Sequence, residues 1–538
     1  MTLINFFKKF QPPSISFFFW MVIAINIIFH LPTLTVQESL GSGNVGDNIY
    51  LAEAVSRGEI PYRDFNWNYG PLMLYYNAFC FNLMGHDIHS LIIGRIFLKT
   101  IFAGILFIAG TQIMPASAAF LTTLLYMALA PDFIHNLSHY GGVGLEIAIL
   151  WAILRYGQSA QENYVRWTFG LVLLLGLNKI NFGIALLGAS VPCLLLYDFF
   201  KHQKNILKRG LVYVGLSFGV IFAWIAILYF FVKGLSWAEI NQCFPIMGHY
   251  VYFGRNISDG FFILIRETIT NARNNRFDGF IFILGLWAVI RLIVEISCHF
   301  LYHKKTTTLG RNYLMNVSVL LLLVLASYNE YYKGGLDYEA YWAKPFTIML
   351  IAYLISEAAT VSGKTIRVFL VMMGMVIFFT HAHDRWAFLE RYKTPEQFYK
   401  HKGINIYATC DKWDIEQISD TENFIEKNIP QKEPIFVFPD DSLYYFLSGR
   451  LAPDRLLLLF GSVHIVPDQE RKLIANLEKK KVKYIITNDV CYFGNMWGYF
   501  GRDNCPIFYQ YLNQHFHKIA NFETTISPWT GTTIYQKN

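Results

Sequence analysis

Residues 46–71 read GDNIYLAEAVSRGEIPYRDFNWNYGP, a polar and aromatic stretch set between an apolar run at 16–31 and another at 91–110. Asp47, Glu53, Glu59 and Asp64 fall within it, beside Arg63, Asn66, Asn68, Tyr62, Trp67 and Tyr69. Ile49, Leu51, Ala52, Ala54 and Val55 give Gly46 to Gly58 the spacing of a short amphipathic helix, which Pro61 stops. A second short helix is expected after Pro71, through Leu72 to Leu83. Helices this short, between longer apolar runs, lie along a membrane interface rather than cross it.

Working outward, further apolar runs occur at 113–131, 142–155, 167–177, 182–198, 209–232, 279–298, 312–327, 344–359 and 365–380. Of 538 residues, 54% are hydrophobic and 15% charged, too little charge to keep so large a surface wet, so the chain is expected to be a membrane protein. Counting the runs predicts about eleven spans, although several are shorter than the roughly 20 residues a perpendicular helix needs. Gly176 to Gly183 is the weakest point: it reads as a re-entrant turn or a broken helix, and one continuous element there would lower the count to ten. The run from Ser16 to Leu31 follows Lys8 and Lys9 without a small-residue cleavage site after it, and reads as a retained first helix.

The net charge of +7 is spread over short turns and forms no single patch, which argues for topology and against nucleic acid as a partner. Lys and Arg collect at 8–9, 155–166, 201–209, 303–311 and 364–367, whereas acids collect in the alternate connections, of which 32–90, 233–278 and 328–343 are long. With basic turns inside, an odd number of spans puts the long connections and the C-terminus outside together.

Beyond residue 382 the apolar period changes. PIFVF (434–438) and KYIIT (483–487) read as strands, 420–428 and 468–480 as helices, and 526–536 as part of a closing hairpin. The expected organisation is a membrane domain over 1–382 and a soluble α/β domain over 383–538. No GxxxxGK[ST] P-loop and no HExxH motif is present. Seven cysteines form no zinc pattern; Cys491 and Cys505 can pair if their compartment is oxidising, the alternative being two small buried thiols.

Carboxylates and flat rings in 46–71 suit a polyol: acceptors for its hydroxyls, and ring faces for its C–H side. An ordinary acidic outer loop accounts for the same composition. The order Asp47, Tyr-Leu-Ala-Glu-Ala, Gly-Glu-Ile-Pro-Tyr-Arg-Asp and Tyr-Gly-Pro-Leu resembles the integral membrane glycosyltransferases of the GT-C superfold, in particular bacterial relatives of protein mannosyltransferases and of the lipid A aminoarabinose transferase. GLNKINFG (176–183) is similar to the Lys-containing turn of these proteins, and PDDSLYYFLSGRLAPDR (439–455) resembles a stretch of their outer domains.

The resemblance implies transfer of a sugar from a polyprenyl-phosphate donor to a glycan, lipid or protein of the cell envelope, at the outer face of a bacterial cytoplasmic membrane and amid its lipids. It puts Asp47 at the loop-one acid that serves as base or orients the acceptor. Cations for the donor phosphate are then sought in Lys179 first, and in Lys344, Arg63 and Arg255. Tyr62, Trp67, Tyr69 and His139 are expected to contact sugar or acceptor. The chain departs from the pattern where relatives carry a second acid: Glu146, Asp64, or the pair His135 and His139 is left for that role. Asp132, His135 and His139 leave a divalent cation open there, with no cofactor otherwise expected. A transporter or flippase of a lipid-linked sugar, or a glycan-assembly component without activity, are the alternative readings.

Overall fold

The computed structural model describes residues 14–37, 44–129, 137–202, 204–243, 308–329, 342–362, 364–408, 412–439, 441–457, 465–488, 500–502, 505–522 and 531–538. Helix α1 (Ile15–His30) starts at Ser14, whose side chain accepts the Phe17 N–H at 3.2 Å. A 3-10 turn (Leu31–Leu34) leads to β1 (Val36–Gln37). The two expected interfacial helices follow as α2 (Asn44–Ser56) and α3 (Leu72–Met84). The bundle continues with α4 (Ile88–Gly110), α5 (Ala116–Leu129), α6 (Leu137–Ser159), α7 (Glu162–Asn178), α8 (Ile180–Phe200) and α9 (Ile206–Val232). After α10 (Trp237–Cys243) come α11 (Thr308–Ser327), α12 (Lys344–Ser362) and α13 (Lys364–Glu390), the last running unbroken past residue 382.

The count of eleven spans needs correction. Among the described residues four helices are long and apolar enough to cross a membrane: Ile15–Leu34, Ile88–Gly110, Ile180–Phe200 and Ile206–Val232. Ala116–Leu129 and Asn312–Ser327 are apolar but shorter, and the run at 279–298 lies outside the described residues. Apolar runs by themselves overstate the number of such helices. In α7 and α13 the runs belong to helices that carry several charged side chains, such as Glu162, Arg166, Asp384 and Arg385. The outer face of α9 is lipid-like: Leu207, Leu211, Phe218, Phe222 and Ile225 recur at helical spacing and are exposed, Phe222 to 72%.

The runs around Lys179 are two helices. Glu162, at the start of α7, is paired at 2.9 Å with both Lys204 and Arg209, which follow α8, so α7 and α8 run antiparallel with Lys179 at the turn between them. A Cβ on Gly183 would lie 2.5 Å from the Gly176 Cα, so two glycines let the helices touch where Trp224 also packs. At the other end of the hairpin the buried Asp198 accepts from Arg209 Nε at 2.9 Å, from the Tyr213 hydroxyl at 2.6 Å and from Tyr156.

The C-terminal part is mixed α/β. The hairpin β2 (Phe398–His401) and β3 (Ile404–Ala408) takes β1 as a third strand, parallel to β3, so residues 36–37 and 407–408 share one sheet. Then follow α14 (Lys412–Asn428), β4 (Ile435–Phe438), α15 (Leu443–Ser448), α16 (Pro467–Lys479), β5 (Tyr484–Asn488), α17 (Pro506–His515), β6 (Phe516–Phe522) and β7 (Thr532–Lys537). The four-stranded sheet has the order β4-β5-β7-β6, with β4 and β5 parallel and the other pairs antiparallel. Strand β4 is buried along its whole length, as its unbroken IFVF predicts. Ile49, Leu51 and Phe81 from α2 and α3 share one apolar core with Ile418, Ile425, Leu443 and Leu447 from α14 and α15. Loop one and the C-terminal region therefore stand at the same end of the bundle.

Candidate functional site

The turn at Lys179 is where loop one meets the bundle. Gly70 donates its N–H to the Asn178 carbonyl at 2.7 Å, and a Cβ at Gly70 would fall 1.9 Å from the Leu177 oxygen, so only glycine fits. That contact brings Tyr69 over the lysine. Lys179 Nζ lies 5.1 Å from the ring centre of Tyr69, 5.2 Å from Trp342 and 5.4 Å from Phe182. Trp342 and Phe182 stack at 3.8 Å and 20°. With 8% of its surface exposed, Lys179 is an ammonium held among three ring faces, which attract a cation through their quadrupoles. Trp342 precedes α12, whose Lys344 donates to the Leu129 carbonyl at 3.3 Å. Asn181 Nδ2 donates to Asn329 Oδ1 at 2.9 Å and ties the turn to the end of α11.

Asp47 stands buried in the first turn of α2, where its charge suits the helix N-terminus. Beside it a Cβ on Gly46 would meet the Leu443 Cβ at 2.6 Å, so α2 lies tight on α15. Tyr50 reinforces this: its hydroxyl accepts the Ala452 N–H at 2.9 Å, and its ring lies 5.2 Å from that of Tyr445. Asp64 has a different environment. It accepts from Arg63 at 3.0 and 2.8 Å and from the Ile60 N–H at 2.7 Å, and the bonds from Arg63 hold its carboxyl below the ordinary range. Glu146, wholly buried on α6, accepts from the Ser327 hydroxyl at 3.0 Å.

Of the expected ring contacts, Tyr69 alone is among the three rings around Lys179. Tyr62 is fully buried at φ 67°, with its hydroxyl donating to the Tyr69 carbonyl at 2.6 Å; Trp67 is buried with its ring edge-on to Tyr69 at 5.3 Å. Both build the loop from within. Arg255, Asp132, His135 and Cys491 lie outside the described residues, as does the side chain of His139, while Cys505 is buried.

Three features escaped the sequence reading. Phe182 and Trp342 come from segments far apart in the chain, and no spacing rule joins them. Arg455, seen only as the end of PDDSLYYFLSGRLAPDR, clasps loop one: it donates to the Tyr62 carbonyl at 2.8 Å and pairs with Glu239 at 3.5 Å, and its carbonyl accepts the Asn66 N–H at 2.7 Å. His401, Glu422 and Glu426 bring three ligand atoms within 4.8 Å of one another, a cluster able to hold a divalent cation and remote in sequence from 132–139. Its signal was present in part, since two glutamates at i, i+4 share a helix face.

The architecture is similar to that of the archaeal oligosaccharyltransferase AglB from Archaeoglobus fulgidus, solved with an inhibitory peptide and a dolichol-phosphate; the match covers 97% of this chain and 74% of that one at 12% identity, with a TM-score of 0.51. The fold is GT-C-like. ArnT from Cupriavidus metallidurans, bound to undecaprenyl phosphate, aligns over 96% of this chain and 97% of its own at 12% identity and a TM-score of 0.45. No protein-family profile and no curated protein matches the sequence. At this identity the likeness to AglB establishes the fold: a polytopic helical membrane protein with a C-terminal mixed α/β region.

Proposed function

We propose that this chain transfers a sugar from a polyprenyl-phosphate donor to a glycan, lipid or protein of the cell envelope, at the outer face of a bacterial cytoplasmic membrane. The observation that carries the reading is the ring-lined Lys179 at the end of the bundle where loop one docks. An ionisable group at that depth in a membrane protein is a candidate for function, and an ammonium there suits an anion. The likeness to AglB, a protein solved with a dolichol-phosphate, supports a lipid-linked phosphate as that anion.

In this reading the bond between the sugar C1 and the phosphate oxygen breaks, and its electron pair leaves on the phosphate, whose charge Lys179 offsets. Lys344, at the start of α12, stands near enough in the chain to Trp342 to assist. The acceptor oxygen bonds to C1 and loses its proton to the carboxylate of Asp47. Basic residues from Lys201 to Arg209 sit at the opposite end of α7, about 25 Å away for a 17-residue helix, and support a cytoplasmic assignment for that end.

The test is transfer by the purified chain in nanodiscs, with a polyprenyl-phosphate sugar as donor and total envelope extract as acceptor source. Label appearing in a glycan, lipid or protein product is the expected outcome. Movement of the donor between liposome leaflets without any product would replace this reading with a flippase, and neither product nor movement would end it.

A further inference from the structure

The hairpin tip at His401 faces helix α14 across a buried carboxylate. His401 Nε2 lies 3.3 Å from Glu426 Oε1 and 4.0 Å from Glu422 Oε1. Glu422 is 2% exposed, and neither of its oxygens receives a hydrogen bond. A buried carboxylate without a donor is unfavourable unless a proton or a cation joins it. Lys402 and Arg450 act on it only through space, and the nearby Glu426 opposes its charge; burial is the largest influence and pushes its carboxyl up to about 7. Arg450 donates Nη2 to the carbonyls of Ile429 and Pro430 and Nε to that of Glu433, and none of these bonds reaches Glu422.

We infer that His401, Glu422 and Glu426 form a binding site for a divalent transition-metal ion such as zinc. One imidazole nitrogen and two carboxylates are a donor set this class of ion accepts, and the two glutamates cancel its charge. Ligands 2.0–2.2 Å from a tetrahedral ion stand about 3.4 Å apart, and the distances of 3.3 and 4.0 Å approach that edge. Hard ions such as magnesium fit less well, since they favour oxygen and retain water. A fourth position is left for water.

The site's place in the fold says what the ion does. His401 ends β2, and Gly403, two residues on and at φ 72°, accepts the Ile88 N–H at 2.9 Å through its carbonyl, so the hairpin tip caps the start of α4. A Cβ at Gly403 would lie 2.7 Å from the His86 oxygen. Glu422 and Glu426 lie on α14, whose Ile418 and Ile425 belong to the core shared with loop one. An ion here clips α14 to a hairpin seated on the membrane bundle, and its effect is on stability, independent of the proposed transfer reaction.

The experiment uses the full chain, purified in detergent without a polyhistidine tag, stripped with chelator and titrated with chelator-buffered zinc. Metal content is read by plasma mass spectrometry and the melting temperature in parallel. The expected result is one equivalent of zinc with a saturable rise in melting temperature. Glu426→Gln, at a half-exposed position, and His401→Ala should both lose the metal and the rise. Glu422→Gln should weaken zinc binding by about 10-fold or more while leaving the metal-free chain at least as stable as the parent, because it removes an uncompensated buried charge. Absence of stoichiometric zinc in the parent overturns the site, as does equal retention by the parent and all three variants.

Discussion

Lys179 Nζ lies 5.1 Å from the centre of the Tyr69 ring, although the two residues belong to segments separated by five helices, α3 to α7. The contact exists because Gly70 and Asn178 share a backbone hydrogen bond, which carries Tyr69 onto the turn between α7 and α8. Loop one is thereby joined directly to the membrane hairpin. If Lys179 holds the donor phosphate, Lys179→Met keeps most of the stem among the rings and removes the charge. Donor affinity should fall by about 1.5–3 kcal/mol, the worth of a charge-assisted bond, with the melting temperature little changed. Unaltered binding of a polyprenyl phosphate, measured by thermophoresis, would leave Lys179 as a packing element only.

Asp47→Asn preserves volume and one acceptor oxygen but cannot take up a proton. Turnover at saturating donor should drop by about 10²–10⁴, while donor affinity stays close to the parent's. Initial rates together with separately measured binding distinguish this from a positioning role, in which both would decline.

Asp64 differs because its oxygens already serve Arg63 and the Ile60 N–H. Asp64→Asn should reduce stability by about 1 kcal/mol and retain specific activity in the folded fraction. The sign of the pH effect follows from the lowered carboxyl. Its contribution is fully present above the unfolded value, near pH 4, and is lost as pH falls through the folded one. Since Arg63 is half exposed, solvent screening keeps the ion pair itself below about 1 kcal/mol. Chemical denaturation of parent and variant, compared from about pH 6 down to about pH 3, should converge toward acid.

Arg455→Met removes the donor to the Tyr62 carbonyl and the partner of Glu239 at 3.5 Å. Loss of this clasp should destabilise the junction by about 2 kcal/mol. Amide exchange should accelerate across α2, α3 and the segment between them, and leave the Asp198 cluster at the other end of the bundle unchanged. Equal acceleration at both ends would indicate global unfolding instead.

Glycine substitutions separate contact from freedom. Gly70→Ala places a methyl 1.9 Å from the Leu177 oxygen and should abolish folded yield or cost more than about 3 kcal/mol. Gly188→Ala meets nothing within 4 Å on α8 and should be neutral or stabilising by up to about 1 kcal/mol. Size-exclusion yield and melting temperature of the two variants test the pair.

The sequence by itself determined the local elements. The apolar spacing in 46–58 gave α2, Pro61 and Pro71 bounded the segment between the two interfacial helices, and the unbroken IFVF gave β4, because each follows from interactions between residues close in the chain. Lys179 was legible as a candidate because an ammonium between two apolar runs is conspicuous, and Asp47 because it is the first Asp after the first apolar run and matches the loop-one acid of the family the chain resembles. Tertiary structure decided the rest. That Arg63 is committed to Asp64, that Tyr62 and Trp67 are internal to the loop, and that Phe182 and Trp342 flank Lys179 depend on which distant segments touch. The span count failed for a related reason: an apolar run shows what a helix can bury, whereas its full length and its charged ends are fixed only when the bundle forms. The cluster of His401 with Glu422 and Glu426 joins a hairpin tip to a helix face, and only folding sets that distance.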